Sequence, residues 1–195
     1  MSVTPILTIA IVGVVIVLVA LVIWRSARRR SLQKKFGPEY DRVVAQQDNR
    51  GAAERELRDR ERRHAELELT PLSAAARTQY AAAWEEVQVR FVDSPTEAVG
   101  TADELVTRLI AERGYPTDDY DERLAHLSVE HAATLGHYRD AHEISQRNAR
   151  GEATTEELRQ ALVHYRALFA DLLGEDPVRP HGNAAHPTPD TTNNR

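Results

Sequence analysis

"TEELRQALVHYRALFADLL", residues 155–173, decides the fold class. Leu158, Leu162, Tyr165, Phe169 and Leu172 recur at steps of four and three, which brings all five onto one face of an α-helix. Thr154, with Glu157 three residues on, opens the helix, and Gly174 ends it.

The same period runs back through the chain. Ser128 reads as the cap of a helix reaching Arg150 and closed by Gly151. A shorter helix opens near Asp118 or Asp119 and breaks near His126 or Leu127. Before it, "SPTE" offers Ser94 as cap, Pro95 at the first position and Glu97 as the capping-box acid. The stripe that follows (Val99, Ala102, Leu105, Val106, Leu109, Ile110) ends at Gly114, with Pro116 beyond it. Thr70-Pro71 reads as cap and first turn of a helix whose face is Tyr80, Trp84, Val87 and Phe91. Within it "VQVRF" alternates like a strand, but a lone strand without a partner is unstable, so helix is favoured. Residues 70–174 therefore read as a small antiparallel helical bundle, and the fold class as all-α.

Upstream, residues 36–69 are expected to form a charged helical spacer, weakened at "DNRG". Its pairs Glu54–Arg58, Glu56–Arg60 and Asp59–Arg63 are each worth a few tenths of a kcal/mol. The apolar stripe is thin, with Ala53, Leu57, His64 and Leu67, and a solvated face is the expectation.

Before the spacer the solvent changes. After a short segment 1–4, residues 5–24, "PILTIAIVGVVIVLVALVIW", carry no charge, and fourteen of them are Ile, Leu or Val. At 1.5 Å per residue such a helix is about 30 Å long, the thickness of a bilayer's hydrocarbon core. A transmembrane helix is expected. A cleaved secretory signal is the weaker reading, because no basic residue precedes the run and no small-x-small site follows it. Residues 25–35 form a basic juxtamembrane collar: Arg25, Arg28, Arg29, Arg30, Lys34 and Lys35, with Trp24 at the interface. This asymmetry puts the N-terminus outside and the C-terminal domain in the cytoplasm, a single pass of the inner membrane with the collar on anionic headgroups.

All 30 acids but only 19 of the 25 bases lie after residue 35, so residues 36–195 carry a net charge of −11. That balance disfavours nucleic acid as a partner. Cysteine is absent, which excludes disulfides and thiolate chemistry. Residues 175–195, with four prolines and almost no aliphatic surface, are expected to be a disordered tail.

Eight histidines raise the question of metal. His131, Leu135, Tyr138 and His142 share a helical face, but His131 and His142 are eleven residues apart, about 16 Å along the axis. They cannot share one ion, and structural histidines are the stronger reading. Asp140 and His142 are two apart and make no dyad. No nucleophile elbow, phosphate loop or zinc-protease motif occurs, so neither enzyme activity nor a cofactor is expected. Tyr115 and Tyr120, among acids in a connector, are candidates for a partner surface together with His131, Tyr138 and His142, although such tyrosines more often fold back on the bundle.

"FGPEYDR" (36–42), "RFVDSP" (90–95), "RGYP" (113–116) and "YRDAHEI" (138–144) together resemble a family of N-terminally membrane-anchored helical proteins from high-GC, actinomycete-type bacteria. The resemblance covers about residues 5–174, implies a bacterial setting, and carries no assigned activity. The function expected is a membrane-anchored adaptor whose acidic helical domain binds a protein partner. The alternatives are a metal-binding or enzymatic domain using His131, Tyr138 and His142, and an exported protein with an extracytoplasmic domain.

Overall fold

Glycines and caps punctuate the described residues into eight helices. The computed structural model describes residues 3–174; the expected tail 175–195 lies outside the described residues, as do the side chains of residues 3–12 and 14. The elements are α1 (Val3–Phe36), α2 (Pro38–Gln46), α3 (Arg50–Ala65), α4 (Ala74–Asp93), α5 (Pro95–Glu112), α6 (Tyr120–Glu130), α7 (Ala132–Ala149) and α8 (Thr155–Leu173). Among the described residues there is no strand, and "VQVRF" is helical. The fold is all-α.

The main core is built by α4, α5, α7 and α8, with α6 laid across one side. The stripes read in α5 and α8 face it: Val99, Ala102, Val106, Leu109 and Ile110 of α5 are fully buried, and so are Tyr165 and Leu172 of α8. Trp84 of α4 stacks on Phe169 of α8, ring centroids 4.7 Å apart. The capping box at Thr154 is formed, with both reciprocal hydrogen bonds to Glu157.

The segment 36–69 is not a solvated spacer. Leu32 and Phe36 of α1, Tyr40 and Val43 of α2, Ala53 and Leu57 of α3, and Val129 of α6 make a second core. Leu57 and Phe36 are wholly buried. The thin stripe of α3 suffices because three other elements supply the rest of its apolar surroundings. Asn49 splits the segment where "DNRG" weakens it, its side chain accepting from the Ala52 amide at 2.9 Å.

Four local expectations are corrected. Helix α4 starts at Ala74 with Ser73 as its cap, three residues later than Thr70-Pro71 implies. The Thr70 amide instead donates to the Arg113 carbonyl at 3.0 Å, so residues 66–73 run as a connector pinned to the end of α5. Ser94 stands at the N-cap of α5 without the side-chain hydrogen bond of a capping box, and its amide, which Glu97 would have to reach, closes α4 on the Arg90 carbonyl at 2.9 Å. Ser128 is no cap. It is buried inside α6 with its hydroxyl on the Ala125 carbonyl at 2.6 Å, and the break falls at His131, whose amide closes α6 and whose carbonyl opens α7.

Gly114 is needed for two reasons. Its φ is +92°, and a Cβ there would meet the Glu68 carbonyl oxygen at 2.7 Å. The turn is a Schellman motif, with the Tyr115 amide on the Ile110 carbonyl and the Gly114 amide on Ala111. It folds Tyr115 inward, and this tyrosine is only 3% exposed.

Among the described residues no helix is long and apolar enough to cross a membrane. The expected span 5–24 falls partly on residues 5–12 and 14, whose side chains lie outside those described. Helix α1 continues through the collar, residues 25–35, unbroken to Phe36.

Candidate functional site

Where α2 and α3 lean on α6 and α7, a polar cleft of about 530 Å³ opens between the two cores. Its floor on one side is Glu39, only 3% exposed. Arg139 of α7 donates to both Glu39 oxygens at 2.7 Å, and Arg60 of α3 adds a third hydrogen bond at 3.2 Å. Glu39 reads in sequence as an acid complementing a helix N-terminus; folded, it is the joint between the N-terminal helices and the bundle.

The other wall carries His142. Asp103 of α5 lies 3.2 Å from its Nδ1, Gln146 lies 3.0 Å from its Nε2, and the Tyr120 ring stacks on it at 4.4 Å. Tyr165 donates to the same Asp103 oxygen at 2.5 Å. Burial works to raise the Asp103 carboxyl, but the hydrogen bonds from His142 and Tyr165 outweigh it and hold the group below the ordinary aspartate value. Burial and the neighbouring Tyr138 push the Tyr120 hydroxyl up to about 12. Burial and Asp103 likewise raise Tyr165. These hydroxyls therefore stay protonated, and that of Tyr165 serves as the donor to Asp103. Beneath them Tyr138, fully buried, accepts from Arg123 at 2.9 Å, and Arg123 also donates to the Thr117 carbonyl.

Tyr115 and His131 lie in a different cluster, under the junction of α3, α6 and α8. The Tyr115 hydroxyl is 3.2 Å from His131 Nε2 and donates to Glu130 at 3.2 Å. Asp171 lies 2.9 Å from His131 Nδ1, and His64 lies 3.2 Å from Glu130. Burial pushes Glu130 and Asp171 upward, but hydrogen bonds from His64 and from His131, respectively, leave both below their ordinary values. Burial lowers His126 beside them.

The five candidates thus divide. Tyr120, Tyr138 and His142 come together; Tyr115 and His131 form a second group, and no partner surface joins the two. Tyr115, His131 and Tyr138 are buried, which removes them from any outer face. Asp103, 39 residues from His142, was not legible in sequence except as a carboxylate set into the apolar stripe of α5. A third pairing is equally non-local: His137 of α7 and His164 of α8 meet with their Nδ1 atoms 2.8 Å apart, beside Asp140.

At the collar, Arg28 lies over the Trp24 ring, 5.1 Å from its centroid, and Lys35 pairs with Glu61 of α3 at 3.0 Å. Arg25, Arg28, Arg30, Lys34 and Lys35 are exposed and Arg29 is half-buried. Comparison of the chain with family models, curated proteins and solved structures finds no match.

Proposed function

We propose that the protein is a single-pass membrane-anchored adaptor. Residues 5–24 lie in a bilayer with the N-terminus outside, and the helical body works in the cytoplasm by contact with a protein partner. The observation that carries this reading is α1 itself. From Val15 to Trp24 its large apolar side chains are 52–65% exposed, while further along the same helix Leu32 and Phe36 are buried. A helix that is apolar all round has no stable face in water. Exposed collar cations at the foot of that run suit anionic headgroups. The bacterial inner membrane is the setting that the family resemblance implies.

The cleft between the cores is the docking place this reading favours, since its walls offer cations and acids side by side, including Arg42, Asp121 and Glu143. A single centre made from His131, Tyr138 and His142 has less support: His131 belongs to the Asp171 cluster, and the Tyr138 hydroxyl is held by Arg123.

The chain has no cysteine, so Asn193→Cys is a unique reporter. It should resist a membrane-impermeant thiol reagent in intact cells and react after lysis; labelling of intact cells would reverse the topology. Release of the chain by alkaline carbonate would remove the anchor. Photo-reactive residues at Gln46 and Gln146, on the cleft, should give one discrete protein adduct that is absent from Arg159. No adduct at either cleft position would reject the adaptor.

A further inference from the structure

We infer that His137, Asp140 and His164 form a binding site for a divalent first-row transition-metal cation of the zinc(II) class, joining α7 to α8. The inference is independent of the membrane-anchor reading.

Each of the other described histidines has a carboxylate within 4 Å of a ring nitrogen. His64 has Glu130 at 3.2 Å, His126 has Glu122 at 3.8 Å, His131 has Asp171 at 2.9 Å and His142 has Asp103 at 3.2 Å. His137 and His164 instead face one another. Their rings stack at 4.9 Å with 24° between planes, and their Nδ1 atoms are 2.8 Å apart. Two neutral imidazoles in that arrangement share one proton: one Nδ1 donates and the other accepts. A cation replaces that proton with a stronger link between the same two lone pairs.

The geometry needs little change. Metal–nitrogen bonds of about 2.0–2.1 Å in a tetrahedral site separate two ligating nitrogens by about 3.3 Å. The rings must open by about half an ångström. His137 is exposed and His164 half-buried, so both have room to do so. Asp140 follows His137 by three residues on α7, which puts its carboxylate on the same helical face, and one donor atom from each of the three residues lies within 4.8 Å of the others.

The donor set names the cation. Two imidazoles and one carboxylate suit zinc, cobalt, nickel or copper and disfavour magnesium and calcium, which want oxygen ligands throughout. Three protein ligands leave a fourth position for water, with solvent on the outer side of His137 and Asp140. The other neighbour on α8, Gln160 one turn before His164, is exposed and uncharged, so no cation competes from that side.

The test uses the full chain in mild detergent, with any affinity tag removed. Cobalt(II) titration should give the visible absorption of a tetrahedral site at one equivalent, and zinc(II) should displace it. His137→Gln and His164→Gln should each weaken binding by more than about 100-fold, beyond what loss of a group that merely orients a ligand costs. His181→Gln with His186→Gln should leave binding unchanged. His137 and Asp140 are exposed and His164 is half-buried, so far-UV circular dichroism of their variants should stay native. Absence of stoichiometric binding would overturn the site, as would binding untouched by the His137 and His164 variants. Unchanged affinity in Asp140→Asn would overturn the three-ligand set.

Discussion

Arg139 grips Glu39 through two parallel 2.7 Å hydrogen bonds, across one hundred residues of chain. The pair is nearly dry: the Glu39 side chain is 3% exposed and that of Arg139 14%. Such a pair need not favour folding relative to apolar neighbours, but breaking it strands a buried charge. Arg139→Met should therefore destabilise the protein by about 3 kcal/mol, the lower end of the usual range because Arg60 still holds Glu39. Arg139→Met with Glu39→Met should recover much of the loss. Urea denaturation of the two variants gives the comparison.

The second core makes a sharper prediction. Leu57→Ala should cost about 2–5 kcal/mol, as for any wholly buried leucine, whereas a leucine on a solvated spacer would cost a few tenths. Hydrogen exchange should show the loss first in α2 and α3. Native-like protection there would mean that the N-terminal helices are held by something other than this core.

Gly114→Ala tests the turn that joins the connector to α5. The left-handed backbone alone costs a Cβ-bearing residue about 1–2 kcal/mol. The Glu68 carbonyl at 2.7 Å from the added carbon raises that cost, since backbone must shift. Gly151→Ala, with φ +72° and open space around it, should show the backbone cost alone. The difference in melting temperature between the two variants measures the close approach.

Acid should act in two stages. His126 has a folded pKa depressed by burial below 6.5, so below that value the unfolded chain takes the proton first and stability falls with pH. Glu130, Asp103 and Asp171 are also depressed, from 4.5, 3.8 and 3.8, so their contribution is fully present above those values. It is lost as pH falls through their lower folded values. Urea midpoints between pH 7 and 3 should decline throughout. His126→Gln should flatten the upper part of that decline and leave the lower part intact.

What the sequence made legible is whatever lies within a few residues of itself. The α8 stripe, the Thr154–Glu157 box and the left-handed Gly114 are local patterns, and the structure contains all three. Ser128 misled because a buried serine can return its hydroxyl to the carbonyl three residues back, which looks in sequence like a cap. Ser94 does stand at the N-cap of α5 with Pro95 after it, and only the side-chain half of the expected capping box is missing. The second core was hidden for a different reason. Leu57 has few apolar neighbours on its own helix, and Leu32, Tyr40, Val43 and Val129 reach it from other elements. The site clusters share that property: Asp103 finds His142 across 39 residues, and His137 finds His164 across 27. Periodicity says which face is inward; it does not say which inward faces meet.

Helix α1 runs for 34 residues without a break, about 51 Å at 1.5 Å per residue, and ends with Phe36 sunk in the second core. The collar therefore works as an axle fixed at one end and not as a tether. At that fixed end α1 packs against α2, α3, α6 and α7 together, the helices that frame the cleft. The cleft is aimed by whatever grips the far end, like a lamp on a stiff stem.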